Sequence, residues 1–428
     1  MRSAFQREET AVLKIRFGFA CLALAALPAL AGPPTVEVLH FMTSGGQAKG
    51  MKSLKDDLEA QGGKWVDTPV GGGNSEDALA KLRTRVMGGD PPSSVQLKGP
   101  LIQEWGALGV LQPIDDVAAA GRWEQALPKR VSDTMKYKGQ WVAAPVNIHR
   151  LDWMYANPAV LNKVGIRMPS TWEEFDAAAD KLKAAGITPL AHGGQAWQDA
   201  SLFEIVVASV GGPEFHRKAL VELDNAALTG PTMKQVFDRM RKLRGYVDAN
   251  FSGRDWNVAT NMIITGQAGF QLMGDWVKGD MSAAGKQPGR DYVCANPPGG
   301  GGASFLFIVD SFAMFKSKNP DVLAGQKLFG RLMMEPRFQE NFNLAKGSIP
   351  VRNDMKLDKF DSCALAARDQ MDKSIKGGGF NPSAIHDMAV ASAVRGAMTD
   401  VATKHFNSSI SSDEAVQLLA RSIKQARE

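Results

Sequence analysis

The chain has 428 residues, 44% hydrophobic and 22% charged, the balance of a soluble globular protein and not of a disordered chain or one built of membrane spans. Fifty basic residues stand against 45 acidic ones, a formal net charge of +5 scattered without runs, so neither nucleic acid nor an anionic membrane surface is an expected partner. At about 150 residues per domain this length exceeds one core, and two domains fit best.

Taken in order, Arg2, Arg7, Lys14 and Arg16 precede an apolar run, residues 17–30, that closes on Ala29-Leu30-Ala31. Basic segment, short apolar segment and A-x-A end make a signal peptide, so residues 1–31 are expected to be absent from the secreted protein. A membrane anchor is the alternative, but the run is short for a bilayer that needs about 20 residues. Cleavage lowers the net charge to +3 and leaves Cys294 and Cys363 as the remaining thiols in an oxidising compartment. A disulfide between them is expected, with two free buried thiols as the alternative.

Residues 36–41 read as a first buried strand, Thr43-Ser44-Gly45-Gly46 as the turn that ends it, and the pattern beyond as helical. A strand running through a glycine turn into a helix places free N–H groups at the sheet edge where open α/β sheets bind ligands. The turn is therefore a candidate site wall, or only a tight turn. Residues 64–70 form a second strand, 75–87 a helix capped by Asn74 or Ser75, 94–97 a third strand and 101–108 a short helix. This alternation implies a mostly parallel sheet with helices on both faces. Lys98, at the end of the third strand, can donate three hydrogen bonds to a ligand, or be a solvated surface lysine.

Residues 135–144 read as a hairpin about Lys138-Gly139, and 146–157 as one extended run able to pass between domains. A helix follows with Ser170 as cap, Glu173 closing the capping box, Trp172, Phe175, Ala179 and Leu182 as its core stripe and Gly186 as its stop. Helical sequence continues to about residue 246, interrupted at 192–198, where Trp197 on a glycine-rich loop offers a flat recognition face, or only packs the loop. Residues 267–276 form a strand stopped by Gly274 that delivers Asp275 and Trp276 past its end. A glycine-rich turn, 297–302, precedes a second apolar extended run, 305–315. Asp310 interrupts that run and must lie at a strand edge or face a polar cleft, because burying it unpaired is costly. The run is the second expected crossing between domains. A helix over 320–334, a turn at 346–352 and C-terminal helices complete the chain.

Five stretches carry a resemblance: His40-Phe41-Met42-Thr43-Ser44-Gly45-Gly46-Gln47, Pro169-Ser170-Thr171-Trp172-Glu173-Glu174-Phe175, Met273-Gly274-Asp275-Trp276, Asp310-Ser311-Phe312-Ala313-Met314-Phe315 and Lys346-Gly347-Ser348-Ile349-Pro350-Val351-Arg352. In this order they resemble the family 1 extracellular solute-binding proteins of bacterial ATP-binding-cassette sugar importers, and within them the glucose and mannose binders. The resemblance implies a two-lobe, type II-like periplasmic-binding-protein fold, each lobe a mostly parallel sheet flanked by helices, joined by hinge strands. Lobe 1 would comprise residues 32–149 and 312–355, and lobe 2 residues 150–311 and 356–428. It implies a monomeric periplasmic receptor that closes on a mono- or small oligosaccharide and presents it to a membrane permease, without catalysis, cofactor, metal or membrane insertion. By similarity the sugar contacts are Phe41, Met42, Gln47, Lys98, Asp310, Lys346 and His386, joined by Trp197, Asp275, Trp276 and His149.

Glucose binders of this group resemble H-W-W-T-S-G-G-E, whereas here Phe41, Met42 and Gln47 replace the two Trp and the Glu. A lost stacking ring is worth on the order of 1 kcal/mol, about fivefold in affinity, so the identity of the sugar is left open. A secreted carbohydrate-active enzyme is one rival, and would use Asp275 and Asp310 as carboxyl groups about 5 to 9 Å apart. No HExxH, GxSxG, P-loop or GxGxxG motif is present. A receptor for a polyamine, peptide or metal is the other, although the six histidines do not cluster.

Overall fold

Val36, Val38 and Leu39 are fully buried in the first strand, Thr35–His40, and this strand seeds the larger of the sheets. In the computed structural model, which describes residues 32–43, 45–71, 75–299 and 304–428, it runs parallel to Lys64–Pro69 on one side and Ser94–Leu97 on the other. The expected leader (1–31), Ser44, the proposed cap Asn74 and residues 300–303 of the glycine-rich turn lie outside the described residues. Beyond Ser94–Leu97 the sheet is completed by Ser311–Met314, which arrives from far along the chain and runs antiparallel to both neighbours, and by Ala143–Pro145. The helices Gly45–Ala60, Ser75–Met87 and Gly99–Ala107 each follow one of the three parallel strands, so all three strands end on the same edge.

A second, four-stranded sheet has the order Val293–Ala295, Met154–Ala156, Ala268–Leu272, Thr188–Leu190. A third joins Phe380–Pro382, Phe305–Ile308 and His149–Arg150. The helices Ala196–His216, Pro231–Arg244, Ser392–Asn407 and Ser412–Arg427 pack on one another, burying Phe203, Phe237, Met398 and Leu419 among others, and Ala196–His216 joins them to the strand Phe380–Pro382.

The extended run expected over 146–157 is broken into two strands on two different sheets, His149–Arg150 and Met154–Ala156. Between them buried Asp152 accepts from Arg150 Nε (3.2 Å) and from the backbone N–H of Leu306 (2.9 Å), which turns the chain out of line. The capping box also falls one residue later than expected. Thr171 is the cap and Glu174 its reciprocal partner, while the Ser170 hydroxyl donates to Glu174 at 2.8 Å. Trp197 stands in the first turn of a helix, not on a loop. The strand Phe380–Pro382 interrupts the C-terminal helices.

Cys294 and Cys363 are bonded, their Cα atoms 6.1 Å apart, tying the strand Val293–Ala295 to the helix Ser362–Gly377. The 69-residue separation implies that reduction removes about 4 kcal/mol through the added freedom of the unfolded chain. Urea denaturation with and without reductant measures this, and the Cys294→Ser/Cys363→Ser variant should match the reduced protein.

His405 is fully buried against Phe237 (ring centroids 4.8 Å), and neither ring nitrogen has a hydrogen-bond partner among the described residues. Burial pulls its pKa down to about 4 from 6.5. The unfolded chain therefore takes up this proton first, and the stability His405 supports at neutral pH drains away as pH falls from about 6.5 toward 4. His405→Phe should lose about 2 kcal/mol less than the parent between pH 7.5 and pH 5, at about 1.4 kcal/mol per unit over the titrating range. Equal losses in denaturation curves at the two pH values would refute the assignment.

Candidate functional site

The three parallel strands of the five-stranded sheet deliver one residue or pair each to a common edge. Phe41 follows the first, Ser75 and Glu76 open the helix after the second, and Lys98 stands in extended conformation just past the third. Across from them are Trp197 in the first turn of its helix and His386 in the loop after Phe380–Pro382. Together with Gln195, Asp387 and Arg395 these residues line a cavity of about 350 Å³. A larger surface recess of about 590 Å³, near Trp123 and Lys327, holds none of the candidate residues.

The loop that carries His386 is held from beneath by Glu204, a fully buried carboxylate on the Trp197 helix. It accepts from the backbone N–H of Ala384 (2.6 Å) and Ile385 (3.3 Å) and from His216 (2.8 Å). Ser201, one turn along from Trp197, contacts His386 Nε2 at 2.8 Å. The Ser383 hydroxyl donates to Glu204 as well, so three donors of the loop, from Ser383, Ala384 and Ile385, fix a segment that would otherwise have no regular structure.

Behind the cavity lies Asp310, at the break between Phe305–Ile308 and Ser311–Met314. It accepts from Gln96 Nε2 (3.1 Å), Asn147 Nδ2 (3.0 Å) and His149 Nε2 (3.1 Å), with Lys98 Nζ at 3.4 Å and Lys346 Nζ at 3.7 Å. Burial opposes its ionisation, yet Lys98, Lys346 and His149 hold its carboxyl well below the usual range. His149 is bonded through its other nitrogen to Asp275, which also accepts from the N–H of Arg150 at 3.0 Å. Burial pulls the His149 imidazole down, but Asp275 and Asp310 outweigh it and the net direction is up. Burial lowers the Lys346 ammonium despite Asp310. His386, desolvated and facing Lys98 and Arg395, is pushed well below the ordinary histidine value.

Rings complete the arrangement. Trp276 lies 5.5 Å from the His149 ring, 5.4 Å from His386 and 6.4 Å from Trp197, and Lys98 Nζ sits 5.2 Å from the Phe41 ring centroid. The site therefore has flat apolar faces beside ammonium groups that each bring three N–H donors, more than one shared carboxylate can occupy.

Phe41, Lys98, Trp197 and His386 line the cavity, while Trp276, His149, Asp275, Asp310 and Lys346 form a buried layer behind it. Met42 is turned away: it lines a separate recess with Met51 and Trp65, because adjacent residues of an extended chain face opposite sides. Gln47 is buried in the first turn of its helix and lines neither recess; its Oε1 has no hydrogen-bond partner among the described residues. Sequence reasoning missed Gln96, which lies two residues before Lys98 and so on the same face, and which accepts the Phe41 N–H at 3.1 Å. Strand alternation was the available signal. Asp387 and Arg395 carried no local signal.

Asp275 and Asp310 flank one imidazole, so this pair does not straddle space for a glycosidic bond. Among the described residues no group of His, Cys, Asp and Glu is placed to hold a metal ion, and no helix is long and apolar enough to cross a membrane.

Known proteins agree with this architecture. The model of the bacterial extracellular solute-binding protein family matches residues 44–329. A probable sugar-binding periplasmic protein of Brucella suis biovar 1 is 46% identical over 411 residues, 95% of this chain and 97% of its own. One from Rhizobium meliloti is 45% identical over 408 residues, 95% and 98% of the two chains. Among solved structures, the solute receptor AcbH, described as exclusive for β-D-galactopyranose, superposes with a TM-score of 0.78 at 18% identity, covering 92% of this chain and 99% of its own. A chitin oligosaccharide binding protein gives 0.78 at 18% identity, with 92% and 98% covered. At such identities these two establish the fold, a two-lobe periplasmic-binding-protein architecture. The chain belongs to the bacterial extracellular solute-binding proteins.

Proposed function

We propose that this protein is the periplasmic receptor of an ATP-binding-cassette sugar importer, taking up a monosaccharide or small oligosaccharide in the cavity between its lobes and handing it to the permease. The observation that carries this reading is the pairing of flat rings with charged hydrogen-bonding groups around one cavity, the two surfaces a pyranose presents in its C–H face and its hydroxyl rim. The relatives' names point the same way. At about 350 Å³ the cavity is near the lower end of the roughly 300–1,000 Å³ range of ligand pockets, which favours a ring or two over a long chain.

We assign residues 32–149 and 312–355 to one lobe and 150–311 and 356–428 to the other. Supporting this, the strands around Thr35–His40 and those around Ala268–Leu272 share no sheet, and the chain passes between them at 149–150 and 309–311. Of the candidate contacts, Phe41, Lys98, Trp197 and His386 are assigned to the sugar itself. Asp310, His149 and Asp275 hold the cations and rings in place, and Lys346 shares its charge with Asp310 from the first lobe. Met42 is not assigned a contact.

A thermal-shift screen against hexoses, pentoses and disaccharides should find at least one sugar that raises the melting temperature, with no consumption of that sugar over hours. Failure of the whole panel, or turnover of any member, would sink the reading. Lys98→Met keeps the aliphatic stem over Phe41 but removes the ammonium, and should weaken binding of that sugar 10- to 100-fold, the worth of a charged hydrogen bond of about 1.5–3 kcal/mol. Trp197→Ala should cost about fivefold by titration calorimetry, as expected for a lost stacking face.

A further inference from the structure

The helix Ser392–Asn407 begins after Ala391, a residue with no side-chain acceptor, and its N-terminus makes no hydrogen bond to a cap side chain of its own. The acceptor comes from Glu104, on the helix Gly99–Ala107 that follows the third strand of the five-stranded sheet. The Glu104 carboxylate accepts from the Ser392 N–H at 3.1 Å and from the Ser392 hydroxyl at 2.8 and 2.9 Å. A second contact of the same kind runs in the opposite direction: Asp280, on the helix Val277–Ala283, accepts from the Gly46 N–H at 3.3 Å in the first turn of Gly45–Ala60.

The seam around Glu104 is close. Asp387 bonds the Ser75 hydroxyl at 2.9 Å and pairs with Arg395 at 2.7 Å, and Arg395 reaches Glu76 at 3.1 Å. Gly99, which opens the Glu104 helix at φ +37°, stands so near the other side that a Cβ there would lie 2.5 Å from the Asp387 carbonyl oxygen. Backbone meets backbone at this point, with His386 next in sequence to the residue it meets.

We propose that Glu104 is a cap exchanged between the lobes. It completes the helix Ser392–Asn407 only while the lobes are closed, so a residue outside the cavity sets part of the affinity for the ligand inside it. On opening, the Ser392 N–H loses a charged acceptor at the positive end of a helix dipole. Apparent affinity scales with the fraction of molecules in the binding-competent form, so a contact made only on closure appears as slower release. This inference rests on the two-lobe sugar-receptor reading given above.

The test uses the full processed chain and a sugar identified in the panel. Glu104→Ala should speed dissociation in stopped-flow roughly fivefold with little change in association. Adding Ala391→Ser gives the helix a cap of its own in either form. The double variant should regain the parent's melting temperature but keep the fast release. If Glu104→Ala releases sugar at the parent rate, or if Ala391→Ser restores slow release, Glu104 merely stabilises a helix and the proposal falls. Should no sugar bind the parent, the receptor reading fails by itself. The exchanged cap is then decided by solution scattering, where a larger radius of gyration in Glu104→Ala upholds it and superimposable curves overturn it.

Discussion

A single carboxylate, Asp310, holds the centre of this molecule. It is almost completely buried, and an ion in that position is tolerable only with several donors around it. The donors come from different parts of the chain: Gln96 and Lys98 from the third strand, Asn147 and His149 from the first passage between sheets, Lys346 from the end of the helix Pro336–Lys346. Asp310 itself breaks the second passage, and its backbone N–H donates to Asn147 Oδ1 at 2.9 Å. Both passages are therefore fastened to the same anion, and Lys98, one of the cations that keep that anion soluble in the interior, is also a polar group of the cavity wall.

The layering of the site follows from this requirement. Lys98 and His149 must point toward Asp310, which leaves Lys98 reaching over the Phe41 ring and His149 edge-on to Trp276. Trp276 in turn sets the positions of His386 and Trp197. A second buried carboxylate, Glu204, does for the His386 loop what Asp310 does for the strands. Side chains locked in this way lose little freedom on meeting a ligand, which is the physical basis of preorganised recognition.

How much of this the sequence disclosed depends on whether the cause was local. The first three strands and their helices were legible because alternation and turn chemistry act over a few residues, and the Ser75–Met87 helix and Ser94–Leu97 strand coincide with their expected ranges. The capping box slipped by one because Ser170 and Thr171 are both competent caps and tertiary packing chose between them. The break at Asp152 and the strand at Phe380–Pro382 were hidden because their partners, Leu306 and Phe305–Ile308, lie far off in sequence. Within the site, resemblance reached Lys98 and His386, whereas Arg395 on a helix and Asp387 in a loop are brought there only by the fold.

The opposed orientations of Phe41 and Met42 carry a consequence for divergence among such receptors. Two neighbouring codons govern separate compartments: one trims the depth of the internal chamber, and the other reshapes an outer hollow beside Trp65. A substitution at position 41 can therefore reshape the chamber while leaving the hollow beside Trp65 untouched, and one at position 42 the reverse.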